Sequence, residues 1–137
     1  MKKILFSAIT LFIVSFASAQ ATATYIDDAP YNFEEVEIRP EFPGGNNELM
    51  NYIGKNFKIP DYEGNGGTLK VAFIIEIDGS ITNVKVVKDL GEGTGAEAKR
   101  VISSSPKWSS GENRGKKVRV LYELPIKIVS QGKIECY

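Results

Sequence analysis

The sequence predicts a small α+β two-layer sandwich, with an antiparallel sheet of about three to four strands and two helices on one face. Three observations carry this. Residues 68–77 and 117–128 alternate apolar and polar side chains with the period of a strand. Residues 46–57 and 95–105 instead repeat apolar side chains at helical spacing. The chain has 137 residues, of which 42% are hydrophobic, enough for one modest core and too few for two ordinary domains. Strands with one apolar face each need cover on the same side, so both helices belong there.

Residues 1–19 read as a cleavable secretory signal: Lys2 and Lys3, an apolar run over 4–16, then Ala17-Ser18-Ala19. A run of thirteen residues falls short of the ~20 that cross a bilayer as a helix, and Gln20 stands where a lipoprotein would carry cysteine. The expectation is an exported protein, membrane-anchored only if the signal stays uncut. Residues 20–39 hold small, acidic and scattered aromatic side chains without a sustained period, and read as an acidic tether with a short strand around 36–38. The domain is placed at 40–129, followed by a tail over 130–137.

In Arg39-Pro40-Glu41-Phe42-Pro43-Gly44-Gly45 the prolines hold the backbone extended and the glycines allow a sharp turn into a helix. The helix over 46–57 follows from Leu49, Ile53 and Phe57 spaced four apart, with Glu48 in the first turn and Pro60 as the stop. Glycines make 61–67 a loop. In the strand 68–77, Leu69, Val71, Phe73, Ile75 and Ile77 share one face, and Asp78-Gly79 predicts a two-residue hairpin turn. The return strand 80–89 breaks parity between Ile81 and Val84, which predicts a bulge near Thr82 and Asn83. A second helix follows from Ala98, Val101, Ile102 and Ser105, and Pro106 ends it. In the last strand Val118, Val120, Tyr122, Leu124, Ile126 and Ile128 face one way. Arg119, Leu121, Glu123 and Pro125 face the other, and a proline inside so regular a run marks an edge strand.

Composition excludes more chemistry than it permits. Seventeen Lys and Arg against 17 Asp and Glu deny the chain the field of a nucleic-acid binder. Loss of Lys2 and Lys3 with the signal leaves 15 basic against 17 acidic residues, divided between an acidic lead-in and a mildly basic domain. There is no histidine, which removes the usual general base, most nucleophilic triads and the commonest metal ligand. Cys136 is the only cysteine, so no internal disulfide forms. The acids form no catalytic pair: Asp78 suits its turn, Glu76 and Glu123 suit strand faces, and Glu92 and Glu97 suit a loop and a helix surface. Gly91-Glu92-Gly93-Thr94-Gly95 lacks the Lys-Ser/Thr of a phosphate loop, and Ala96 stands where the dinucleotide fingerprint wants its last glycine, so it reads as a flexible connection. Arg114, Lys116, Lys117 and Arg119 read as a solvated loop beside Trp108, itself a core anchor. No catalytic residue, metal ligand or cofactor site is assigned, and the chain reads as a non-enzymatic binder.

The order of motifs resembles the C-terminal domain of the TonB family over about residues 40–129. The resemblance rests on Pro40-Glu41-Phe42-Pro43-Gly44-Gly45, Asp78-Gly79-Ser80-Ile81, Val84-Lys85-Val86-Val87, Pro106-Lys107-Trp108 and Val118-Arg119-Val120-Leu121-Tyr122-Glu123-Leu124-Pro125-Ile126. It implies a periplasmic module that binds an extended segment of an outer-membrane transporter, or of another envelope protein, as a strand added along the final strand. The implied peptide-binding positions are Val118, Arg119, Val120, Leu121, Tyr122 and Glu123, with Ile59 and Pro60 as a second area. The family commonly has Tyr-Pro where this chain has Ile59-Pro60. Transducers of the family carry an inner-membrane helix and a long proline-rich spacer, whereas residues 20–39 span at most about 70 Å. The chain is therefore expected to serve energy-coupled transport as a short transducer, or to act as a soluble adaptor or regulator of it. The alternative is an assembly protein that homodimerises through its edge strand and Cys136. A proline at Val120 is expected to abolish peptide binding and leave secondary structure largely intact.

Overall fold

In the computed structural model, which describes residues 29–59, 62–129 and 134–135, the two alternating runs pair with each other along their length. Strand β2 (Gly67–Ile75) lies antiparallel to β6 (Val120–Ile128) in unbroken register, from Gly67 opposite Ile128 to Ile75 opposite Val120. Alternation sends Leu69, Val71, Phe73 and Ile75 to the same side as Leu124, Ile126 and Ile128. Helices α1 (Asn46–Asn56) and α2 (Thr94–Ser103) cover that side, α1 through Leu49 and Ile53, α2 through Ala98, Val101 and Ile102. All join one buried cluster, and each large apolar side chain so buried contributes roughly 1.5–3 kcal/mol relative to exposure. The two-layer α+β sandwich is thus the observed architecture.

The lead-in motif seats an aromatic residue in this core. Gly45 N–H donates to the Phe42 carbonyl at 2.8 Å, closing the turn before α1, while Ser109 N–H donates to the Glu41 carbonyl at 2.9 Å. These bonds hold Phe42 edge-on to Trp108, with ring centroids 5.7 Å apart. Trp108 is buried, and its indole N–H donates to the Ser105 hydroxyl at 3.1 Å.

Several features differ from expectation. The hairpin between β2 and β3 (Ile81–Lys88) has a three-residue loop, not a two-residue one. Glu76 N–H donates to the Ser80 carbonyl and Gly79 N–H to the Glu76 carbonyl, both at 2.9 Å, and of Asp78 and Gly79 only Gly79 has positive φ, at 85°. Asp78 stays out of that region because its carboxylate accepts from both the N–H and the hydroxyl of Ser80. Ile77 consequently sits in the turn, about half exposed, and not on the core face. The bulge expected near Thr82 and Asn83 is present, with Asn83 at φ 50°, and a second register shift lies opposite Lys70 and Val71.

The expected last strand is split. Its first part is β5 (Lys116–Val118), which turns back on β4 (Gly111–Asn113) as a small hairpin. Arg114 and Gly115 at its tip both have positive φ, as a two-residue hairpin requires. The sheet is also mixed, because β1 (Tyr31–Asn32) joins β6 in parallel, and β7 (Ile134–Glu135) joins it antiparallel from the region read as a tail. In the stretch read as a tether, the strand lies at Tyr31–Asn32, while Ile38 makes only a single bridge, to Glu112.

Candidate functional site

A sheet can accept another chain only along an edge, and the strand order β1-β6-β2-β3 leaves two edges to compare. The β3 edge is broken by two register shifts and carries exposed Lys85 and Lys88, both devices that blunt an edge. β6, by contrast, keeps an unbroken register with β2 along its length.

Backbone parity along β6 follows from its bonds to β1. Tyr31 N–H donates to the Arg119 carbonyl at 2.9 Å and Phe33 N–H to the Leu121 carbonyl at 3.1 Å. Odd-numbered residues therefore turn their backbone groups outward, and even-numbered residues turn theirs toward β2. Pro125 belongs to the outward set, so its missing N–H costs the β2 ladder nothing. The edge is covered at Val120 and Leu121 by β1 and at Lys127 and Ile128 by β7. Between them, among the described residues, Tyr122 to Ile126 have no strand on the outer side. This window presents the Glu123 N–H and carbonyl and the Pro125 carbonyl.

Beside the window lies an apolar cleft of about 280 Å³ formed by Phe33, Phe42, Leu49, Trp108 and Tyr122, with Arg39 at its rim. Phe33 stacks on Tyr122 with centroids 4.1 Å apart and 22° between planes, and Phe73 meets Tyr122 edge-on at 5.6 Å. The Arg39 guanidinium lies 5.3 Å from the Phe33 centroid and pairs with Glu34. Burial, assisted by the Glu34 carboxylate, raises the Tyr122 hydroxyl above its ordinary pKa.

The expected binding residues divide by location. Val120, Leu121, Tyr122 and Glu123 are consecutive in β6, while Val118 belongs to the β4–β5 hairpin, opposite Gly111. The Arg119 side chain is committed elsewhere: its Nε lies 2.7 Å and its Nη2 3.0 Å from the two Glu76 carboxylate oxygens. That fork, together with the Thr82 hydroxyl at 2.6 Å, holds Glu76 below the usual glutamate range. Ile59 packs against the core, and Pro60 and Cys136 lie outside the described residues. The expectation for a proline at Val120 needs correcting, since this residue is fully buried and its amide faces β2. Sequence reasoning missed Tyr31, Phe33 and Arg39, whose only local signal was two aromatics among acids.

The glycine run before α2 already holds an anion of its own. The Asp89 carboxylate accepts from Gly91 N–H at 2.9 Å, Gly95 N–H at 3.1 Å and the Thr94 hydroxyl at 3.0 Å. These donors, Gly91 N–H first, hold Asp89 below the ordinary aspartate range. The site a phosphate would take is therefore filled by the chain itself. Replacing Asp89 with asparagine keeps the Oδ1 acceptor and removes the charge, and is expected to cost roughly 0.3–1 kcal/mol at pH 7 through weaker bonds to these donors and to the start of α2. Because the folded pKa is lowered, the carboxylate's contribution is complete above the unfolded value, near pH 4, and is lost as pH falls through the folded value. Urea unfolding of both proteins should therefore give a gap that is constant from pH 7 to 5 and closes below pH 4. A gap independent of pH would remove Asp89 from that role.

Among the described residues no group of three or more His, Cys, Asp or Glu is placed to hold a metal, and no helix is long and apolar enough to cross a membrane. Residues 60–127 match the family described as Gram-negative bacterial TonB protein C-terminal. No curated protein and no solved structure shows significant similarity to the chain.

Proposed function

We propose, from the match of residues 60–127 to the family described as Gram-negative bacterial TonB protein C-terminal, that this chain is a periplasmic, non-enzymatic module that takes an extended peptide onto the outer edge of β6. The peptide belongs to a TonB-dependent outer-membrane transporter or another envelope protein, and the chain acts in energy-coupled transport as a short transducer, or as a soluble adaptor or regulator. The observation that supports this best is the window from Tyr122 to Ile126, without an outer strand among the described residues and beside an aromatic cleft, on a sheet whose other edge is blunted. A strand added there gains affinity from backbone bonds and selectivity from side chains seated in the cleft.

The reading is tested by titrating the folded chain with peptides from the periplasm-facing segments of such transporters while following amide shifts. Binding that moves Leu121, Tyr122 and Glu123 is expected. No binding at millimolar peptide by a folded chain would overturn it. A reductant-sensitive dimer in light scattering that ignores peptide would favour the edge-strand homodimer instead.

A further inference from the structure

The edge assigned to the peptide is already partly occupied by the chain's own lead-in. We propose that Tyr31, Asn32 and Phe33 are an internal competitor for the β6 edge, which the incoming peptide must displace; this rests on the peptide-binding reading above. The segment makes the contacts expected of a ligand. It lies extended along Val120 and Leu121, its Tyr31 and Phe33 N–H groups bond the outward Arg119 and Leu121 carbonyls, and its Phe33 ring covers Tyr122. A shallow groove between Phe33, Glu34 and Glu35 on one side and Leu121 to Glu123 on the other continues this seat into the open window.

The hold is weak enough to release. β1 has two residues, both exposed, so the apolar contact given up when the segment leaves is chiefly that of the half-buried Phe33 ring. Its next anchors are separate: Val36 is buried, Ile38 pairs with Glu112 through bonds of 3.0 and 2.9 Å, and the Glu37 carboxylate accepts from Arg114 N–H at 3.2 Å. Residues 31–35 can therefore swing away without loosening the domain behind them. Departure of Phe33 uncovers both the Leu121 backbone groups and the face of Tyr122, which extends the window to a full strand. The displaced contacts also specify the displacing ligand, an extended peptide with an aromatic or large apolar side chain to seat on Tyr122.

An edge occupied in cis lowers the apparent affinity for a peptide by the fraction of chains in which it is free. The test uses the full chain and a fluorescent peptide copying its own residues 28–36. The Tyr31→Pro/Phe33→Pro double variant removes both N–H donors of the cis strand. It is expected to bind this peptide at least tenfold more tightly than the wild-type chain. Phe33→Ala keeps the backbone donors, removes the stack, and should fall between them. Retention of the near-ultraviolet signal of Trp108 confirms that each variant is folded, and should the double variant fail this check, Phe33→Ala alone decides. Equal binding by wild type and variants would overturn the internal competitor and leave the peptide-edge reading intact. No binding by any folded variant would overturn the competitor, because its own segment would then have no affinity for the freed edge, while the transporter-peptide titration decides the peptide-edge reading separately.

Discussion

Replacing Gly79 with alanine is expected to destabilise the domain by about 3 kcal/mol, a large share of the 5–15 kcal/mol that keeps such domains folded. Two constraints meet at this residue. Its φ of 85° lies in the left-handed region, which costs a residue with a Cβ roughly 1–2 kcal/mol. A Cβ there would also stand 1.9 Å from the Trp108 carbonyl oxygen and 3.0 Å from its carbonyl carbon, both rigid backbone atoms. Relief requires Trp108 to move, which breaks its N–H bond to the Gly79 carbonyl at 2.9 Å, worth roughly 0.5–1.5 kcal/mol. It also disturbs the aromatic contacts of Trp108 with Phe42 and Phe73. Gly115 is the matched control: its φ is 72°, yet a Cβ there meets nothing within 4 Å. Gly115→Ala should therefore cost only the conformational part, about 1 kcal/mol. Urea unfolding followed by Trp108 fluorescence measures both, and equal losses would show that the close approach to Trp108 carries no constraint.

The same turn shows what local sequence contains and what it leaves out. Asp78-Gly79 announced a hairpin, but whether its loop has two residues or three depends on the Asp78 carboxylate bonding Ser80 and on Trp108 reaching back to Gly79. The Trp108 contact has no signature in residues 76–80 taken alone, and an aspartate two residues before a serine suits a loop of either length. Where a pattern ran long, it was legible: nine residues of β2, the stripes of α1 and α2, and the parity break that placed the Asn83 bulge. Where an element was short, it was not. β4 and β5 have three residues each and β1 has two, less than is needed for a period to show. The edge character of β6 could be read from Pro125, because a missing N–H is a property of one residue. Its partial cover by Tyr31 and Asn32 could not, because a register between segments some ninety residues apart lies in their complementarity and not in either segment.

Backbone parity gives a prediction that separates the edge from the fold within one strand. Glu123→Pro is expected to abolish peptide binding and to lower stability by less than about 1 kcal/mol. Its amide faces away from β2, among the described residues no strand accepts from it, and its side chain is exposed, so a proline removes only what an incoming strand would use. Val120→Pro, three residues earlier, should do the reverse. There the amide belongs to the ladder with Ile75, and its loss leaves a buried carbonyl without a donor at a cost of roughly 1–3 kcal/mol. The altered shape of a fully buried side chain adds roughly 1–3 kcal/mol. Glu123→Ala completes the set, since it keeps the N–H, loses only an exposed carboxylate, and should bind within about threefold of wild type. Circular dichroism melts give the stability order, and titration with the transporter peptides gives the binding order. Peptide binding undiminished in folded Glu123→Pro would move the site away from β6. A fully stable Val120→Pro would mean that the odd residues, and not the even ones, face β2.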